Sequence, residues 1–148
     1  MLRKFFYGLA LLSMVFIASC EKDPANEDDI TGKTKQEVFK MRTWRSISFT
    51  DSSSAGVEET YGPCEKDDTY QFTSNTAVTW KNNSVKCDPS DPASENLTWS
   101  MASADDNFIN LIGYKWYIEK MSGTEIVLRY YYETHQGDIN TWRLTLVK

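Results

Sequence analysis

At 148 residues the chain has room for one domain, and its 16 Lys+Arg against 21 Asp+Glu give a formal net charge of −5. No basic stripe interrupts that balance, which excludes nucleic acid and anionic lipid headgroups as electrostatic partners. The single histidine, His135, sits in the polar stretch Glu133-Thr134-His135-Gln136, and there is no C-x-x-C pair. A catalytic triad or a four-ligand zinc site therefore has no basis, and no catalytic residue, metal or cofactor is expected.

Residues 1–19, MLRKFFYGLALLSMVFIAS, place Arg3 and Lys4 before an apolar run from Phe5 to Ala18 and end in small residues. This is the pattern of a secretory leader. The run is shorter than the roughly twenty residues that span ~30 Å of hydrocarbon, so a permanent transmembrane helix is the weaker reading. The segment Ile17-Ala18-Ser19-Cys20 resembles the lipobox of bacterial lipoproteins. That resemblance implies cleavage before Cys20 and acylation of Cys20, with the bilayer as partner, and an outer-membrane lipoprotein facing periplasm or cell surface. Several acyl chains at ~0.8 kcal/mol per buried methylene hold firmly where one holds marginally. Loss of Arg3 and Lys4 with the leader shifts the net charge from −5 to −7.

Residues 20–36, from Cys20 through EKDPANEDDITGKTKQ, are polar and nearly devoid of apolar side chains, and read as a flexible tether. About fifteen such residues reach roughly 20 Å end to end. The acidic start of this stretch also resembles the surface-export signal of Bacteroidetes lipoproteins.

The domain is then residues 37–148, entered through a short helix over residues 35–41 that carries Val38 and Phe39. From residue 43 the period is two, which predicts strands over 43–50, 68–74, 77–81, 96–102, 108–112, 114–121, 125–134 and 140–147. Asp68, Tyr70 and Phe72 share one face of their strand; so do Tyr114, Trp116 and Ile118, then Ile126, Leu128, Tyr130 and Tyr132, and finally Trp142, Leu144 and Leu146. Eight short strands on mostly tight turns predict an all-β, antiparallel, up-and-down meander closed into a barrel, with a β-sandwich as the other closure. At eight strands the interior is either filled by side chains or just wide enough for one small ligand.

With Cys20 given to lipid, Cys64 and Cys87 remain as an even pair in an oxidising compartment, and a structural disulfide is expected. Its loop closes for roughly 3 kcal/mol in the chain-entropy model. A redox-active dithiol is disfavoured by the wide spacing. The acidic loop DPSDPASEN after Cys87 lacks the glycine and ligand spacing of an EF-hand.

The segment C-E-K-D-D-x-Y-x-F from Cys64 to Phe72, the second cysteine in KCDP, the Leu97-x-Trp99 strand and the Tyr-x-Ile then Ile-x-Leu hairpin resemble the lipocalin-like lipoproteins of Bacteroidetes over residues 36–148. The resemblance implies a lipocalin-like barrel without enzymatic activity. Lipocalins carry G-x-W on the first strand, where this chain has Arg42-Thr43-Trp44, and the C-terminal lipocalin helix is missing. Lipocalins also stack a last-strand arginine over the first-strand tryptophan; Arg143 over Trp44 would match, but Arg143 alternates away from Trp142, Leu144 and Leu146.

Aromatic residues are the richest functional signal. Trp44, Tyr70, Phe72, Trp99, Trp116, Tyr130 and Trp142 are the candidate ligand-binding set for a small hydrophobic or aromatic molecule, with Arg129 or Arg143 as polar fixtures. The competing reading is a filled core of the same rings. Two other roles stay open: a protein-binding inhibitor of a host hydrolase such as lysozyme, for which the acidic surface is complementary, and an accessory envelope domain without ligand.

Overall fold

Thr34 begins the helix α1 (Lys35–Lys40): its hydroxyl accepts the Glu37 N–H while the Glu37 carboxylate accepts the Thr34 N–H at 2.8 Å. This reciprocal cap satisfies two donors that a helix start otherwise leaves open, which lets six residues hold helical form. The computed structural model describes residues 27–53 and 56–148. The leader, the lipobox and Cys20 lie outside the described residues.

Among the described residues nine strands follow: β1 (Thr43–Ser53), β2 (Gly56–Glu59), β3 (Thr69–Phe72), β4 (Ala77–Lys81), β5 (Ser94–Ser100), β6 (Phe108–Leu111), β7 (Tyr114–Met121), β8 (Glu125–Glu133) and β9 (Ile139–Val147). Every pairing is antiparallel, and consecutive strands from β3 to β9 are neighbours. The start of β1 pairs with β3, and its other edge pairs with β9 from Arg45 to Ser52, so eight strands close a barrel. Closure removes the unpaired edges that an open sheet would expose. The eight expected strands are all present. The addition is β2, which pairs with the tail of β1 outside the barrel, Thr50 opposite Glu59 and Ser53 opposite Gly56.

Two bulges decide which residues face inward. In β1 the register slips between Ser46 and Ser48, and in β7 between Ile118 and Lys120. Each inserts one residue and inverts the alternation beyond it. Trp44 and Ser46 point inward before the first bulge; after it Phe49 lies opposite Leu144 and Asp51 opposite Trp142 on the inner face. In β7 the inner set runs Trp116, Ile118, then Met121 opposite Ile126.

The stretch expected to be tether is folded from Glu27 onward. Ile30 packs against the core, and the Asp28 carboxylate pairs with Arg42 at 2.9 Å and Lys148 at 2.6 Å. Gly123 in the β7–β8 turn makes this approach possible, because a β-carbon there would lie 1.8 Å from the Asp28 carbonyl oxygen. The folded unit therefore begins earlier than residue 37, and only residues 20–26 of the expected tether lie outside the described residues.

Candidate functional site

One end of the barrel is solid. Phe39, delivered by α1, lies 4.9 Å from the ring of Phe72 and 5.4 Å from that of Trp99, and Phe72 meets Trp99 edge-on at 4.8 Å. Trp44 is fully buried, and its indole N–H donates to the Phe39 carbonyl at 2.9 Å. The helix is thus pinned across the barrel bottom by a ring stack and a hydrogen bond. Arg42 sits 5.8 Å over the Trp44 ring, occupying the position considered for Arg143. Arg143 points outward to Glu119, as its alternation requires.

The other end is hollow. A cleft of about 220 Å³ is walled by Phe49 of β1, Tyr61 of the loop after β2, Tyr70 of β3, Leu111 to Tyr114 at the β6–β7 hairpin, Trp116 of β7, and Trp142 and Leu144 of β9. Its volume falls below the ~300–1,000 Å³ typical of pockets for drug-sized ligands, so a single-ring molecule matches its scale. Phe49 stacks on Tyr61 at 5.3 Å and meets Trp116 and Trp142 at 6.1 and 5.7 Å. Tyr130 packs behind this wall, 5.7 Å from Trp116 and 5.4 Å from Trp142.

Carboxylates hold these rings in place. Glu59 accepts the backbone N–H groups of both Phe49 and Tyr61 at 3.0 Å and the Ser48 hydroxyl at 2.6 Å. Loss of water around it alone would raise the Glu59 carboxyl; these hydrogen bonds outweigh that and hold it below the ordinary glutamate range. Asp51, brought inward by the β1 bulge, accepts the Trp142 indole N–H at 3.2 Å and the Tyr132 hydroxyl at 2.8 Å. At the inner end burial pushes the Tyr61 and Tyr70 phenols upward, so both are neutral. Beneath them Asp68 is buried and accepts the Trp80 indole N–H at 3.1 Å, while its second oxygen and that of buried Asn82 find no donor. Desolvation raises the Asp68 carboxyl above the usual aspartate range.

The hairpin at the rim carries strain. Ile112 and Gly113 have φ of 54° and 80°, both left-handed, as a two-residue type I′ turn demands. Gly113 adopts this freely, whereas a β-branched residue there is a true outlier. Ile112 is half exposed at the cleft edge.

Cys64 and Cys87 form a disulfide, S–S 1.99 Å and Cα–Cα 5.1 Å, linking the loop before β3 to the loop after β4 at the same end as the cleft. Among the described residues, Cys64, Glu65 and Cys87 are the group close enough to share a metal, and the disulfide consumes both sulfurs. His135 is exposed in the β8–β9 turn. The acidic loop after Cys87 spends its oxygens internally: Asp88 accepts the Ser90 N–H and hydroxyl, and Asp91 accepts the Asp88 N–H.

Of the sequence-derived set, Tyr70, Trp116 and Trp142 line the cleft, and Tyr130 backs it. Trp44, Phe72 and Trp99 lie in the packed half instead. Arg129 and Arg143 both bind Glu119 on the outside and fix nothing within. Phe49, Tyr61, Leu111, Ile112, Tyr114 and Leu144 complete the lining. Alternation placed Tyr114 and Leu144 inward but not near the mouth; Phe49 was hidden by the bulge and Tyr61 by its loop. A Gly after an apolar run, as in Leu111-Ile112-Gly113, was the available signal for the rim hairpin.

The profile of the lipocalin-like domain matches residues 41–128, which run from the end of α1 into β8. Searches of curated proteins and of solved structures gave no match. An eight-stranded antiparallel barrel closed below by a short helix and open above onto an aromatic cleft agrees with that profile, which covers more than half of the chain: the chain belongs to the lipocalin-like domain family.

Proposed function

We propose that the mature chain is an outer-membrane lipoprotein, anchored through acylated Cys20, whose barrel binds a small hydrophobic or aromatic molecule in the mouth cleft without transforming it. Lipocalin-like barrels in general suit small-ligand binding. The observation that carries the reading for this chain is the hollow of about 220 Å³ walled by six aromatic side chains at one end of an otherwise packed barrel. Burial of a ring there is driven by area, at ~25 cal/mol per Å² removed from water. The leader and the Ile17-Ala18-Ser19-Cys20 sequence support the anchor.

Native mass spectrometry of protein purified from its own host tests the ligand, with the expected result a retained small molecule released on denaturation. NMR of the tryptophan indole N–H groups locates it: neutral single-ring aromatics should shift Trp116 and Trp142 and leave Trp44 and Trp99 in place. An unmodified mass together with silent indoles across such probes would remove the binding reading. Palmitate labelling of wild type, lost in Cys20→Ala, tests the anchor separately.

A further inference from the structure

The charges around the cleft are one-sided. Asp51 binds Trp142 through the indole N–H, Glu59 grips the backbones of Phe49 and Tyr61, and Asp68 lies beneath Tyr70 with one oxygen unpartnered. Among the described residues no lysine or arginine lines the cleft; Lys66 acts on Glu59 and offsets it in part. Arg129 and Arg143 are turned outward and committed to Glu119.

The rings themselves are the second feature. Phe49, Tyr61, Tyr70, Tyr114, Trp116 and Trp142 face one small volume. Aromatic faces carry negative electrostatic potential, so rings converging on one volume stabilise a cation placed among them, most strongly where water is excluded. A carboxylate accepting the indole N–H of Trp142 adds electron density to the strongest of these rings. An anion entering the same space would meet ring faces backed by carboxylates, and no cationic side chain among the described residues lines it. The acidic net charge of the chain draws cations toward it over longer distances.

We propose that the cleft prefers a small organic cation, an alkylated ammonium carried on an apolar or single-ring body, over a neutral or acidic molecule of the same shape. This rests on the binding reading above and specifies its ligand class. The ammonium head sits against the Trp116 and Trp142 faces near Asp51, and the apolar body fills the space toward Leu111 and Leu144.

The test compares phenyltrimethylammonium with tert-butylbenzene, its uncharged carbon isostere, by indole NMR titration of the disulfide-intact domain. The expected result is that both shift Trp116 and Trp142 and that the cation binds at least tenfold more tightly. Asp51→Asn should shrink that ratio several-fold, and raising the salt should shrink it too. Equal or tighter binding of the isostere would overturn the charge preference while leaving the hydrophobic site standing. Silence from both probes would overturn both. A preference that survives unchanged in Asp51→Asn and at high salt would also overturn the proposal, because it would place the cation away from the carboxylates behind the cleft wall.

Discussion

Truncating Phe72 to alanine should cost far more stability than truncating Tyr114, although both are aromatic residues on inward-facing positions of the barrel wall, on β3 and β7. Phe72 is 2% exposed and is clamped between Phe39 and Trp99, with centroids 4.9 and 4.8 Å away. A buried aromatic ring removes on the order of 150–250 Å² from water, which at ~25 cal/mol per Å² is roughly 4–6 kcal/mol. Alanine keeps the backbone and β-carbon share of that area, and the α1 plug cannot collapse far because the Trp44 indole holds the Phe39 carbonyl at 2.9 Å. A cost of about 3–5 kcal/mol for Phe72→Ala follows, in line with other large-to-small changes in packed cores. Tyr114 is 46% exposed and meets Tyr130 and Trp142 edge-on at 5.1 and 6.1 Å. Its removal forfeits little more than those ring contacts, about 1 kcal/mol. Urea unfolding of the oxidised domain, followed by tryptophan fluorescence, separates the two. With a slope of ~2 kcal/mol per M, the midpoint should fall by about 2 M for Phe72→Ala and about 0.5 M for Tyr114→Ala. Probe binding should run the other way, weakened in Tyr114→Ala and kept in Phe72→Ala wherever that variant is folded. Equal midpoint losses, or a loss below about 1.5 kcal/mol at Phe72, would refute the division of the barrel into a solid and a hollow half.

Replacing Cys64 and Cys87 together by serine should lower stability by roughly 3 kcal/mol, since the bridge spans 23 positions and restricts the unfolded chain; the same urea midpoints read it, and an unchanged midpoint would mean the bridge is idle. Ile112→Gly should stabilise by about 1 kcal/mol, as the left-handed backbone loses its β-branched strain, yet weaken probe binding by removing part of the rim. Asp68→Asn bears on pH. Burial raises the Asp68 carboxyl in the folded state, so its contribution is fully present below the unfolded aspartate value near 3.8 and is lost as pH rises through the folded value. Asparagine has no such loss. The variant should match wild type in acid and exceed it at neutral pH by ~1–2 kcal/mol, the scale of an unpartnered buried oxygen. Thermal unfolding of both proteins from pH 3 to 8 checks the sign; a variant weaker than wild type at pH 7 would show that the ionised carboxylate is stabilising.

Much of the fold could be read from side-chain alternation because closure into a barrel puts one face of every strand indoors. Ile126, Leu128, Tyr130 and Tyr132 declare their face, and so do Trp142, Leu144 and Leu146. The strand β2 was not legible for the converse reason: Gly56, Val57, Glu58 and Glu59 are all exposed, and only backbone bonds to β1 define them as a strand. The start of the folded unit was misplaced because its ties are few and polar, Asp28 to Arg42 and Lys148, with Ile30 the main apolar contact. Such a stretch has the composition of a tether and folds only because a surface with matching charges lies beside it.

The site resisted reading for a geometric reason. Period two reports which face of the wall a residue occupies and says nothing of what packs against it there, and here the α1 plug separates core from cleft. Trp44, Phe72 and Trp99 share the inner face with Tyr70, Trp116 and Trp142, but the first three pack with Phe39 of α1 and the second three line the cleft. What turns one set into a filled core is Phe39, a helix residue that no strand pattern addresses. What shapes the other is the bulge between Ser46 and Ser48. Without that extra residue Phe49 and Asp51 would face solvent; the cleft would lose its stacked Phe49–Tyr61 wall, and Trp142 would lose the carboxylate on its indole N–H. The chemistry of the mouth thus depends on one inserted position in β1, whose effect is to take an aromatic ring and a negative charge from the outer surface and set both inside.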